Sequence, residues 1–162
     1  MNDLLNKLSS YNLFNNLLPG ILFVVLLNYF TEYRIKQDNI LLAGFLYYFI
    51  GLTISRISSV IIEPLLKKIK FIKFRDYKKF VEAYKKDSKL DVLVETSNKF
   101  RVLFTTTLLI ISTKFFHFLD LRFLNMNIEV QKYLLIIGIS LIYLFAYRKQ
   151  TNYITKRIDV NT

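Results

Sequence analysis

The stretch Asn39-Ile40-Leu41-Leu42-Ala43-Gly44-Phe45-Leu46-Tyr47-Tyr48-Phe49-Ile50-Gly51-Leu52-Thr53-Ile54-Ser55 carries no charged side chain, and past Arg56 the apolar run resumes from Ile57 to Ile62. About twenty apolar residues, each rising about 1.5 Å, cover the hydrocarbon layer of a bilayer, about 30 Å thick. Ile40 to Ile62 therefore reads as a membrane-spanning helix.

Three further segments fit that frame. Leu8 to Thr31 is free of charge and interrupted only by Pro19-Gly20. Proline suits the first turn of a helix, where its missing N–H goes unused, and Asn15 or Asn16 could cap that turn. This predicts an interfacial helix over Leu4 to Phe14 and a span from Leu17 to Tyr33. The third span covers Val102 to Thr113 and extends to Leu119 if Lys114 is tolerated. The fourth covers Tyr133 to Tyr147, where fifteen residues rise only about 22 Å. It needs Lys132 and Arg148 as snorkelling ends, or a locally thinned bilayer. A re-entrant hairpin or a pair of buried helices is the alternative for these last two. The Leu, Ile and Phe density of Leu134 to Phe145, with Tyr133, Tyr143 and Tyr147 at headgroup depth, favours spanning.

The predicted fold is all-α and polytopic: four transmembrane helices, with a cytoplasmic helical hairpin between the second and third. The organisation divides as 1–62 (interfacial helix and first membrane hairpin), 63–101 (basic cytoplasmic segment) and 102–162 (second membrane hairpin and tail). The late, long apolar block near the N-terminus, with no small-residue cleavage site after it, does not read as a secretory signal.

Composition points the same way. Of 162 residues, 53% are hydrophobic, 16% aromatic and 22% charged. A water-soluble fold could not cover that apolar surface with charges so clustered. The absence of cysteine rules out disulfides, thiolate metal sites and cysteine catalysis, and the single histidine rules out paired imidazoles.

Charge gives an orientation. Twelve of the 23 Lys and Arg fall between Glu63 and Arg101. If the N-terminus is cytoplasmic, 17 lie on the inner side and 5 on the outer, with Arg56 inside the second span. The positive-inside bias then places both termini and the central segment in the cytoplasm of a cell whose inner membrane holds the protein. The net charge of +11 is accounted for by topology and anionic headgroups, which disfavours nucleic acid as a partner.

In the central segment, Lys67 to Arg75 alternates cations with apolar residues. As a helix it would lie along the headgroups, aromatics down and lysines among the phosphates. Tyr77, Phe80, Val81 and Tyr84 then follow at helical spacing. Ser88 with Asp91 resembles a capping box, opening a helix that carries Leu90, Leu93 and Val94 and leads through Phe100 into the third span. Tyr77, Phe80, Tyr84, Leu90 and Leu93 are candidates for docking a cytosolic partner. The segment could equally be a plain connector.

Candidates for helix contact or the membrane interface are Pro19, Gly20, Asn28, Arg56 and Glu63. Arg56 and Glu63 stand seven apart on one helix face; Arg56 either snorkels or forms an intramembrane pair, and Pro64 marks a kink or an exit. Asn28, an amide deep in a span, could bond across helices. Gly44 and Gly51 would allow close approach along one stripe. His117, among phenylalanines, reads as an interfacial residue rather than a ligand. Apart from Glu32 at the very end of span one, spans one, three and four hold no Asp or Glu, which disfavours a proton or cation relay. No nucleotide loop, nucleophile elbow or carboxylate pair points to catalysis. No catalytic residue, metal or cofactor is expected.

Two stretches together carry a resemblance. One is Asn16-Leu17-Leu18-Pro19-Gly20-Ile21-Leu22-Phe23. The other runs from Arg56 and Glu63-Pro64 through Tyr77-Lys78-Lys79-Phe80, Lys85-Lys86-Asp87-Ser88-Lys89-Leu90 and Asn98-Lys99-Phe100-Arg101. Over roughly the first two thirds of the chain, this resembles a group of small bacterial four-span membrane proteins, some of which are encoded with antiviral defence genes. The resemblance implies either an effector that permeabilises the inner membrane or an anchor for a cytosolic partner. The effector reading takes the form of an oligomer associated through spans one and two and controlled, through the cytoplasmic segment, by a cytosolic protein or small signal molecule. A small channel or transporter component is a further alternative.

Overall fold

The computed structural model describes the backbone of residues 2–87, 89–119 and 126–161, and the side chains of those from 15 to 160. Among the described residues every regular element is a helix: α1 (Asn2–Phe30), α2 (Ile40–Ile57), α3 (Glu63–Lys68), α4 (Tyr77–Lys86), α5 (Lys89–Leu119) and α6 (Ile128–Asn161). A π-helical turn, Ser58–Ile62, joins α2 to α3 without a break. Three helices, Ile40–Lys68, Lys89–Leu119 and Ile128–Val160, are long and apolar enough to cross a membrane, and residues 15–30 add a shorter apolar one.

Helix starts are set by short polar side chains. Asn39 accepts hydrogen bonds from the Leu41 and Leu42 amides and opens α2. Asp76 accepts from Lys78 N and opens α4; Asn127 accepts from Glu129 N and opens α6. These side-chain oxygens satisfy N–H groups that have no partner within the first turn. At the start of α5 the Asp87 carboxylate accepts from Lys89 N. The expected capping box falls on Ser88, outside the described residues.

The sequence reading needs correction at α1. No separate interfacial helix ends before Pro19; one helix runs through it from Asn2 to Phe30. A proline in a helix interior removes one hydrogen bond and crowds the carbonyl four residues back, but contacts with neighbouring helices can compensate. Here both Pro19 and Gly20 are buried, and Gly20 lies against α2. A Cβ placed on Gly20 would overlap the Tyr47 carbonyl oxygen, and one on Gly51 would overlap the Asn16 carbonyl oxygen. The two glycines therefore let the backbones of α1 and α2 touch, each Cα hydrogen aimed at the opposing carbonyl. Gly44 lies in open space and takes no part in the crossing.

α5 packs beside this hairpin. Its Thr105 and Thr106 are fully buried, and each returns its hydroxyl to a carbonyl of its own preceding turn. α6 is peripheral. Leu134, Leu135, Ile136 and Ile137 are all more than half exposed, and four consecutive residues go all the way round a helix. It meets α2 where Phe49 stacks on Tyr143 and Thr53 Oγ1 lies 3.2 Å from the Tyr143 hydroxyl. So much unbroken apolar exterior suits lipid, not water.

Candidate functional site

At one end of the bundle the chain buries a carboxylate. Glu63 opens α3 and is only 5% exposed. It accepts hydrogen bonds from Lys67 Nζ at 2.8 Å, from Lys149 Nζ at 3.2 Å and from the Arg101 guanidinium. Lys67 lies one turn on in the same helix, Arg101 on α5 and Lys149 on α6. One carboxylate therefore holds three helices together.

The π turn makes the arrangement possible. In an α-helix residues five apart diverge by about 140°, whereas a π turn, with its i→i+5 hydrogen bonds, stacks them. The Glu63 amide donates to the Ser58 carbonyl, so Ser58 and Glu63 face the same way. Arg101 bridges both, its Nε donating to Ser58 Oγ at 3.0 Å. Lys149 Nζ donates to the Ser59 carbonyl at 2.5 Å and to Ser59 Oγ at 2.9 Å. Pro64 accounts for the wide turn: its ring would press on the Val60 carbonyl in a regular helix, and it has no N–H to donate there. Ser58 is completely buried, and its hydroxyl gives Arg101 a partner that water cannot reach.

The site thus contains one negative and three positive charges. Side chains of Lys67, Lys149 and Arg101 are 39%, 22% and 18% exposed, so each keeps some access to the exterior. A carboxylate shared by cations from α3, α5 and α6 is suited to holding those helices in register. Among the described residues no three His, Asp or Glu side chains gather to hold a metal.

Of the residues singled out from sequence, Glu63 is at the centre of this cluster. Arg56 is not; it is half-buried and makes no ion pair among the described residues. Asn28 does not bond across helices. Its Nδ2 donates to the Ile35 carbonyl at 3.2 Å and its Oδ1 accepts from Ile35 N at 2.9 Å, folding the segment after α1 back onto the helix. At that same end His117 Nε2 lies 3.8 Å from the Glu32 carboxylate, with Tyr33 edge-on to its ring.

The central segment also differs from a simple hairpin. α6 does not stop at the membrane-length stretch but continues to Asn161 and packs on α4. Tyr77, Phe80 and Tyr84 form a chain of ring contacts at 6.4 and 5.8 Å, with Tyr77 6.3 Å from Tyr153 of α6. Val81, between them, is buried. These aromatics are half-buried inside the chain's own fold. Leu90 is half-buried and Leu93 exposed. The Tyr84 hydroxyl bonds to the Asp91 carboxylate, which holds the phenol above its usual range.

The sequence marks Arg101 as a topological charge and as part of the resemblance, marks Lys149 only as a topological charge, and singles out neither Ser58 nor Ser59. The available signal was Glu63 itself, an isolated acid before a proline at the edge of an apolar run. Fold and site together define a class: an all-helical chain with membrane-length helices, pinned at one end by a buried ion cluster. No protein-family model, curated protein or solved structure matches the chain.

Proposed function

We propose that the protein is a non-enzymatic, multi-pass protein of a bacterial inner membrane: an oligomeric effector that perturbs the bilayer when its cytoplasmic segment receives a signal. The topology that goes with this reading has four spans, with both termini and the α4 region in the cytoplasm, in keeping with the excess of cations there. The role in a defence system rests on the sequence resemblance alone.

The observation that carries the reading is the Glu63 cluster. It lies where membrane-length helices leave the apolar zone, and a single carboxylate engages α3, α5 and α6 together. Breaking it releases all three at once, the kind of discrete two-arrangement contact that converts a local event into a larger movement. Regulated expression with a potential-sensitive dye tests it. The proposal expects depolarisation on activation; an unchanged membrane potential overturns it.

A second reading, an anchor that recruits a cytosolic protein, is favoured by one feature. Val92, Leu93 and Phe100 are each more than 60% exposed on the part of α5 that precedes its buried, apolar stretch. Capture of a cytosolic protein that is lost on charge reversal at Lys78, Lys79, Lys85 and Lys86, with the membrane potential unaffected throughout, selects this alternative.

A further inference from the structure

Just past the Glu63 cluster the chain makes a turn that its sequence does not favour. α3 ends at Lys68, and the alternating run that follows is not a helix. Phe71 N donates to the Leu66 carbonyl and Lys70 N to the Lys67 carbonyl, both at 3.0 Å. This is the paired bonding of a Schellman cap, whose left-handed position is usually glycine. Here that position is Lys70, with φ 61°, the one non-glycine residue with positive φ among those described. A side chain there costs about 1–2 kcal/mol relative to right-handed backbone, and a strained residue that persists is a pointer to function.

Around Lys70 the surface has two further properties. Between Glu63 and Asp76 the charges are Lys67, Lys68, Lys70, Lys73 and Arg75, with no acid among them. Among the described residues Lys68, Lys70, Lys73 and Arg75 enter no ion pair. Ile69, Phe71 and Phe74 are 61%, 76% and 63% exposed, although apolar C-cap residues usually pack against their own helix. Lys67 Nζ sits 4.0 Å from the centre of the Phe74 ring, which holds that ring beside the helix end.

We propose that residues 67–75 form a docking surface for anionic phospholipid headgroups of the membrane that the helices cross. Lys68, Lys70, Lys73 and Arg75 meet the phosphates, and Phe71 and Phe74 enter the interfacial layer. Three observations select this occupant over a protein: four uncompensated cations, aromatic side chains turned outward, and direct continuity with a membrane-length helix. Lysine at the strained position keeps a cation at the turn, where glycine would only relieve backbone cost.

The inference rests on the reading of the chain as membrane-spanning, and one experiment separates the two. The chain has no tryptophan, so Phe71→Trp in the full-length protein supplies a single emission reporter. The variant is reconstituted into vesicles of phosphatidylcholine alone and of phosphatidylcholine with phosphatidylglycerol in equal parts. Recovery with both kinds of vesicle after alkaline washing tests the membrane reading; failure to incorporate overturns both claims. With incorporation secured, the expected result is blue-shifted emission, quenched by brominated lipid, in the anionic vesicles and not in the neutral ones. Each cation removed should weaken the effect about fivefold. Lys70→Gly is the decisive variant, since it suits the turn yet loses the charge. Equal emission in the two vesicles, whether water-like or buried against protein, overturns the proposal, as does a Lys70→Gly variant with undiminished response.

Discussion

Replacing Glu63 by Gln keeps the shape of the side chain and removes its charge. Three cations from three helices then face one another around a neutral amide. Removing one partner of a buried pair costs about 3–5 kcal/mol. The cations here keep partial access to the exterior, so the lower end applies, about 3 kcal/mol. For a chain of this size each kcal/mol moves the melting temperature by about 2–4 °C, giving a fall on the order of 10 °C. The assay is thermal unfolding of the purified protein in mild detergent, followed by circular dichroism. Lys149→Gln added to Glu63→Gln removes one of the stranded cations and should recover part of the loss, a coupling that two independent sites would not show. A Glu63→Gln protein melting within 2 °C of the parent (about 1 kcal/mol or less) would refute the description of the cluster as a latch.

Other substitutions test other joints. Gly20→Ala or Gly51→Ala places a methyl group on an opposing backbone carbonyl and should cost about 2 kcal/mol or more through forced separation of α1 and α2. Gly44→Ala and Gly138→Ala, where a Cβ meets nothing within 4 Å, should leave stability unchanged or raise it by up to about 1 kcal/mol; equal effects in the two pairs would dispose of the crossing. Asn28→Ala removes both bonds to the Ile35 backbone and should cost about 1–3 kcal/mol. Protease should then cut between Thr31 and Asp38 faster, and an unchanged cutting rate would show that the amide does not hold that segment.

The sequence was readable where local chemistry decides. An uncharged run of membrane length reads as a helix whatever surrounds it, so α2 was legible, as was the continuous passage from Lys89 through Phe100. The apolar spacing of Tyr77, Phe80 and Tyr84 likewise marked a helix face. At Pro19 a local rule gives way to packing: the residue suits a helix start, but burial of Pro19 and Gly20, with Gly20 against α2, carries the helix through. Over Lys67 to Arg75 the expectation of a helix fails beyond Lys68 for a local reason: the alternation of cations and apolar residues has a period nearer two than 3.6. The cluster around Glu63 was only half legible. Arg101 and Lys149 lie 38 and 86 residues away in sequence, and no periodicity within a helix announces a partner at that distance. The π turn that aligns Ser58 with Glu63 was hinted at only by Pro64.

Because the chain has no cysteine, single thiols can report sidedness directly. Lys86→Cys at the end of α4 and Lys36→Cys in the segment after α1 are treated with a membrane-impermeant maleimide, first on intact spheroplasts and then after permeabilisation. An inner-membrane protein with its lysine-rich middle facing the cell interior gives labelling of position 36 in intact cells, and of position 86 only once the membrane is opened. Labelling of position 86 in intact spheroplasts, or its recovery in the soluble fraction, contradicts that arrangement outright.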